Sequence, residues 1–348
     1  MKRVIYLLTH ALLFLLISCD VHEWPEIPES VKTNLRLNYE TEMTEWEHRY
    51  DGTSVVEEGY GSTYVNHLDY GVIRYSVRIY PVLEKQRMTQ DCMQEVVLTK
   101  DVVEGYDQDI MLELPSGNYN VMVWSDLMQT NTDKPFYNAE NFAEITLQGD
   151  HMGNTDHRDA FRGSSNLSVV ADVMARPPEV LDVAMQRPLA KFEILTTDLK
   201  EFVDKELAFL QKEAAARGEI SPPRVNTDDY RVVFYYSGFM PNTYNMNTDK
   251  PIDSETGVMF ESKLKILSEN DASLGFDYVF VNGKQSAISI QIGLYDKEDR
   301  QLALSDPVDV PLRRNHHTIL KGSFLMQQTS GGITINPDFD GNHNILIE

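Results

Sequence analysis

The residues with the clearest chemical role lie at the start of the chain. Leu16-Ile17-Ser18-Cys19 follows a basic head, Met1-Lys2-Arg3, and a mostly apolar run from Val4 to Ile17. A run of this length behind two cations is short for a membrane-spanning helix and reads as the hydrophobic region of an export signal. An ordinary secretory signal ends in small residues of Ala-x-Ala type. Here small Ser18 directly precedes a thiol, which suits thioether attachment of diacylglycerol followed by cleavage. Residues 1–18 are therefore expected to be removed, leaving Cys19 as a lipidated N-terminus held in outer-membrane lipid. Several acyl chains on one residue anchor durably where a single chain does not.

The other chemically active side chains form no reaction centre. With Cys19 lipidated, Cys92 has no partner among the two cysteines of the chain, so no disulfide framework is expected. Cys92 lies in Gln90-Asp91-Cys92-Met93, without an adjacent cation to lower its pKa, and reads as an inert thiol. Ser164 and Ser165 follow Gly163 but lack the second glycine of a nucleophile elbow. The pair His316-His317 would point to opposite faces of a strand, where one metal ion cannot take both. Asn336 to Asn342 spaces oxygen ligands two apart and places Gly341 sixth, as an EF-hand loop does, but Ile347 occupies the twelfth position where a bidentate Glu belongs. The Asp338/Asp340 segment is therefore read as an Asp-Gly turn, with weak Ca²⁺ binding as the alternative. With 54 acidic residues, close carboxylate pairs arise by chance and identify no glycosidase. No Walker loop, His-Glu-x-x-His, Cys-x-x-Cys or dinucleotide fingerprint occurs, so no enzyme, metal or cofactor is assigned.

Charge narrows the partners. The formal charge is −23, and loss of Lys2 and Arg3 with the signal makes the mature chain two charges more acidic. Such a surface repels phosphate backbones and argues against nucleic acid. Of the three tryptophans, Trp124 alternates within a strand and is expected in the core, while Trp24 and Trp46 are read as local packing in preference to a sugar-stacking platform.

The elements that would carry these residues read as β. Residues 19–30 combine Pro25, Pro28 and spaced acids into a tether. Alternation begins at Val31 (Leu35, Leu37, Tyr39) and returns in Ile73, Tyr75, Val77 and Ile79. Pro115-Ser116-Gly117-Asn118 joins the strand-like runs Ile110–Leu114 and Tyr119–Trp124 and is expected to be a hairpin in which Gly supplies a positive φ. Pro177-Pro178 marks a boundary between domains at 31–176 and 177–348. The second opens with Pro188-Leu189-Ala190-Lys191-Phe192-Glu193-Ile194, whose Ala190, Phe192 and Ile194 share one face. Asp198 with Glu201 resembles a capping box, and Leu199, Phe202, Val203, Leu207, Leu210 and Ala214 then form one apolar helical stripe ending at Gly218. Asn282-Gly283, between Tyr278–Val281 and Ala287–Ile292, signals a further hairpin. The fold class is thus all-β, two tandem sandwiches with one helix in the second.

The lipobox, the Pro188-Leu189-Ala190-Lys191-Phe192 strand and the closing Asn315-His316-His317-Thr318 to Gly322-Ser323-Phe324-Leu325 segment together resemble the fimbrillin-like lipoproteins of Bacteroidales, with the anchor subunits of the major and minor fimbriae nearest. The resemblance implies transthyretin-like or immunoglobulin-like sandwiches, other fimbrial subunits as partners, and assembly by donor-strand exchange. An incoming strand satisfies the free backbone groups of a sheet edge while alternate side chains fill its groove. Stalk members of the family are cut by a trypsin-like protease after the first strand. Arg49, read as lying in the loop after Val31–Tyr39, is the best-placed position for such a cut, since Arg176 is followed by proline. An anchor keeps its lipid and its first strand. The expected function is therefore a lipid-anchored, cell-surface fimbrial anchor or accessory subunit. A surface glycan-binding lipoprotein, with a glycan or host-surface ligand, is the alternative.

Overall fold

The computed structural model describes residues 30–66, 68–83, 87–88, 91–129, 134–170 and 179–327. Cys19, Trp24 and the tether up to residue 29, Arg176 with the Pro177-Pro178 pair, and the Asp338/Asp340 turn lie outside the described residues.

Period-two patterning builds the strands. In β1 (Val31–Tyr39), Thr33, Leu35 and Leu37 point inward while Lys32 and Arg36 face solvent. β2 (Glu42–Tyr50) and β3 (Val55–Val65) form a hairpin, followed by β4 (Val72–Leu83), β5 (Arg87–Met88), β6 (Gln94–Asp101), β7 (Gln108–Leu114) and β8 (Gly117–Leu127). Next come β9 (Tyr137–Asn138), β10 (Ile145–Leu147), β11 (Ala160–Val169), β12 (Glu179–Met185), β13 (Leu189–Thr196) and the helix α1 (Leu199–Arg217). β14 (Tyr230–Tyr236), β15 (Met240–Asn245), β16 (Lys250–Glu255), β17 (Met259–Lys263) and β18 (Lys265–Ile266) precede β19 (Ala272–Phe280) and β20 (Gln285–Asp296). β21 (Gln301–Leu304), β22 (Val308–Arg313) and β23 (His316–Gly322) end the described fold.

Three apolar cores organise the sheets. The first lies between β12-β1-β7 and the sheet β11-β8-β4 with β6, and contains Leu35, Leu37, Ile73, Tyr75, Val77 and Ile79. The second lies between the six-stranded order β18-β19-β13-β23-β2-β3 and the sheet β17-β14-β20 with β21 and β22; Phe192, Ile194, Phe234 and Ile290 fill it. The third gathers Trp124 from β8, Tyr137 from β9, Ile145 from β10, Tyr244 from β15 and Phe280 from β19, so both halves of the chain share it.

The division at residue 177 does not coincide with this partition. β12 follows the Pro-Pro pair yet runs parallel to β1 and gives Val183 and Met185 to the first core. Conversely, the β2–β3 hairpin leaves the first core and extends the second through parallel pairing of β2 with β23. Proline spacing marks where backbone pairing is interrupted and carries no information on which sheet receives the next strand.

Two expected hairpins are sheet-to-sheet crossings. β7 pairs with β1 whereas β8 pairs with β4 and β11, and Gly117 is not among the residues with positive φ. β19 pairs with β13 and β18 whereas β20 pairs with β14, β21 and β22, so Asn282-Gly283, with Gly283 at φ 73°, carries the chain between the two layers of the second core. The helix ends at left-handed Gly218 as expected, but its capping box does not form. The Asp198 carboxylate instead accepts the Leu325 and Met326 N–H groups and the Thr196 hydroxyl. Leu199, Phe202 and Ala214 are buried along with Glu206, whereas Val203, Leu207 and Leu210 are only half-buried.

Candidate functional site

Among the described residues, the longest edge strand belongs to the β2–β3 hairpin. β2 is held on one side by β23, with Thr44 opposite His316 and Arg49 opposite Lys321, and on the other by β3. β3 is 11 residues long, and among the described residues no strand pairs with its outer side. Its ends are fixed by side-chain chemistry. At the tip, the Asp51 carboxylate accepts the Ser54 N–H at 2.9 Å and the Thr53 N–H at 3.0 Å, with further bonds from both hydroxyls. Those bonds, led by the Ser54 and Thr53 amides, hold the Asp51 carboxyl well below the usual carboxylate range. At the other end, buried Lys191 donates to the Tyr64 hydroxyl at 2.7 Å and to Asp156 at 2.8 Å. Between these ends two register shifts twist the edge.

A groove of about 510 Å³ runs beside β3, lined by Trp46 and His48 of β2, Val55 and Glu57 of β3, and Asp309 and Pro311 of β22. β22 is itself an edge strand, but Pro311 has no N–H to offer a neighbour. β3 carries no proline, so it is the wall of the groove able to accept a strand. His48 is buried, and burial holds its pKa below the ordinary value, which leaves the imidazole neutral at pH 7. Its Nδ1 lies 3.3 Å from the Trp46 carbonyl. The Trp46 indole is 2 % exposed and lies under the Arg313 guanidinium, 4.3 Å from the ring centre. Arg313 is held in turn by the Tyr60 hydroxyl.

Behind the hairpin runs a seam of buried charge. One short turn, Asp156–Arg158, together with Asp159, supplies ionic groups to three partners in the second half of the chain. Asp156 meets Lys191, Arg158 meets Asp277 at 2.5 Å, and Asp159 meets Arg187 at 2.8 Å. His151 at 2.7 Å and the Tyr236 hydroxyl at 2.6 Å complete the shell of Asp277. Burial alone would raise the Asp277 pKa, but Arg158, His151 and the Tyr236 bond outweigh it and hold the carboxyl below the usual range.

Arg49 lies inside β2 and not in a loop, with Nε 3.1 Å from Glu58. The polar pattern of Glu42 to Arg49 suggested a loop, yet Met43, Trp46, His48 and Tyr50 form its buried face. Trp124 is fully buried. His316 and His317 do point to opposite faces, the first toward Trp46 and Tyr60 and the second toward Tyr64 and Glu193. Ser164 and Ser165 lie within β11, and Cys92 is exposed, its thiol donating to the Gln94 carbonyl. Trp46 forms no exposed sugar-stacking platform, since the Arg313 guanidinium covers its ring. The seam was not anticipated. Its signal was present in Lys191 and Asp277, charges set inside apolar strands, because a charge buried in a core requires a counter-charge.

Residues 28–348 match the model of a family of unknown function, DUF6562. The chain belongs to that family. No curated protein matches the DUF6562 chain. Among solved structures, it is similar to the fimbrial anchor protein Mfa2 from Porphyromonas gingivalis, at 10 % identity and a TM-score of 0.38, over 79 % of this chain and 82 % of that one. It is also similar to the C-terminally truncated tip fimbrial protein Mfa3 from Porphyromonas gingivalis (11 %, TM-score 0.35, 81 % of each chain). A fimbrial assembly protein from Parabacteroides distasonis aligns at 10 % with a TM-score of 0.36, over 84 % of this chain and 91 % of that one. No helix among the described residues is long and apolar enough to cross a membrane.

Proposed function

We propose that this protein is a lipid-anchored cell-envelope subunit, attached through Cys19, that acts as a fimbrial anchor or accessory subunit by β-strand addition. The observation that carries the reading is the long β3 edge beside the Trp46–His48 groove. An added strand would pair its backbone with β3 and lay alternate side chains toward the groove, the recognition mode in which main-chain bonds give affinity and pockets give specificity. The position of β1 supports an anchor over a processed stalk. It lies in the middle of its sheet, between β7 and β12, and gives Leu35 and Leu37 to the first core. A subunit built this way keeps its first strand, and the tether after Cys19 leads directly into it.

Photo-crosslinking from Val56 or Tyr60 on intact cells, with mass measurement of the mature N-terminus, tests the proposal. A diacylated Cys19 and an adduct with a second envelope protein are expected. A secreted chain with an unmodified thiol at Cys19, or β3 positions that never capture another subunit, would refute it.

A further inference from the structure

On the far face of the first half lies a groove with a different chemistry. It measures about 1020 Å³, twice the groove beside β3, and runs over the outer face of β8 and β11 toward the turn after β15. The strands are in register so that Asn118 faces Ser168, Asn120 faces Asn166 and Met122 faces Ser164. Successive rungs on one face lie two residues apart, about 7 Å along the strand. Asn120 Nδ2 donates to Asn166 Oδ1 at 3.1 Å and to Ser164 Oγ at 3.3 Å, which fixes the middle of the ladder. Asn166 Nδ2, the Asn118 and Asn247 amides and the Ser168 hydroxyl make no hydrogen bond among the described residues, so their donors and acceptors are available to a ligand. Buried Met122 and Met246 supply an apolar floor.

The lining is set apart by its charge. Charged residues make up 24 % of the chain and the net charge is −23, yet no described lining residue of this groove carries a charge. A cationic ligand would find no carboxylate among the described lining residues, and an anionic one would meet the repulsion of the whole acidic surface. β11 is the edge strand of its sheet, but a peptide strand added there would lie beside this face and leave its side-chain ladder uncovered. Amides and hydroxyls both donate and accept, and so do the vicinal hydroxyls of a sugar, whose C–H faces suit a thioether floor. We propose that the β8–β11 face is a binding site for a neutral oligosaccharide, held by the amide ladder in place of an aromatic platform. The site stands apart from the β3 edge and does not depend on how the protein assembles.

Calorimetric titration of the purified full-length protein tests this, using fragments of mannan, dextran, laminarin and xylan, with chondroitin sulfate and polygalacturonate as anionic comparators. At least one neutral fragment is expected to bind with an affinity that does not change between low and high salt. Binding should weaken about tenfold or more in the double variant Asn120→Ala/Asn166→Ala, as expected for the loss of two or more hydrogen bonds. It should weaken similarly in Ser164→Arg, which fills the groove from an exposed position, and both variants should keep the parent melting temperature. If the double variant fails to fold, Ser164→Arg alone decides. The proposal is overturned if no neutral fragment binds, if binding survives Ser164→Arg, or if the anionic polymers or an unrelated peptide compete equally.

Discussion

Arg187 commits all of its guanidinium donors inside the seam, with Nε 2.8 Å from Asp159 Oδ1 and Nη2 2.9 Å from Asp159 Oδ2. The remaining donors go to the Glu40 and Thr41 carbonyls and to Asn315. These acceptors lie where the chain passes from β1 to β2 and from β22 to β23, while Arg187 itself links β12 to β13. One side chain therefore ties together connections belonging to both halves. Removing one member of a buried pair leaves the other charge uncompensated, at a cost of about 3–5 kcal/mol. Arg187→Ala is expected to lose stability on that scale. Arg187→Lys should recover only part of it, because an ammonium cannot reproduce the planar fork. Urea unfolding of the two variants checks the order.

Acid should loosen the same seam. Asp277 has its folded-state pKa depressed by Arg158, His151 and Tyr236 against the opposing effect of burial. A depressed carboxyl contributes stability that is complete above its unfolded value of about 3.9 and is lost as the pH falls through the lower folded value. Glu193 is depressed in the same sense by His317, Ser273 and Lys191, again against burial, and adds to the loss. Unfolding free energy is expected to fall gently below about pH 6.5, where an unfolded histidine takes a proton that buried His48 refuses, and more steeply below about pH 4 as Asp277 and Glu193 are protonated. Asp277→Asn, though less stable throughout, should show a shallower acid limb in the same titration.

The β11–β12 contact sets a steric limit. A Cβ on Gly163 would lie 2.6 Å from Met185 Sδ, 2.7 Å from Val183 Cγ1 and 2.9 Å from the Ala184 carbonyl oxygen. The last is backbone and cannot rotate away, so Gly163→Ala must push β12 outward from the first core. Overpacking of this kind costs about 1–3 kcal/mol. A lowered melting temperature with faster amide exchange in β12 is expected, and amide exchange measured by mass spectrometry checks it.

Local pattern and long-range pairing differ in how much of them the sequence displayed. Alternation located β4 through Ile73, Tyr75, Val77 and Ile79, because a half-buried strand writes its own period. Ala190, Phe192 and Ile194 share a buried face as their spacing required. Pro115-Ser116-Gly117 and Asn282-Gly283 marked reversals correctly but not their outcome, since turn chemistry fixes a change of direction and leaves the choice of sheet to packing. The excursion of β2–β3 into the second core had no local signal, for its register depends on β23, more than 250 residues away. Of the proposed assembly site, Trp46 was legible as packing, while the edge character of β3 emerges only once its neighbours are placed.

Arg49, the position where a trypsin-like cut was expected from sequence, is held in the middle of a sheet. Its backbone is flanked by β3 on one side, with Val56 opposite, and by β23 on the other, with Lys321 opposite. A trypsin-like protease binds several substrate residues in an extended form free of other pairing, so cutting after Arg49 requires β2 to leave both neighbours. The side chain is 54 % exposed, yet exposure of the side chain does not free the backbone. Arg224, in the irregular connection before β14, faces no such barrier, whereas Arg217 is the last residue of α1 and the Gly218 N–H after it is bonded to the Ala214 and Ala215 carbonyls. Limited trypsin digestion of the native protein is expected to cut at Arg224 first and to leave the Arg49–Tyr50 bond intact until global unfolding begins. Peptide masses over a time course decide the matter. Early release of a fragment ending at Arg49 would show that β2 opens locally, and would then expose the first core by freeing β1 from between β7 and β12.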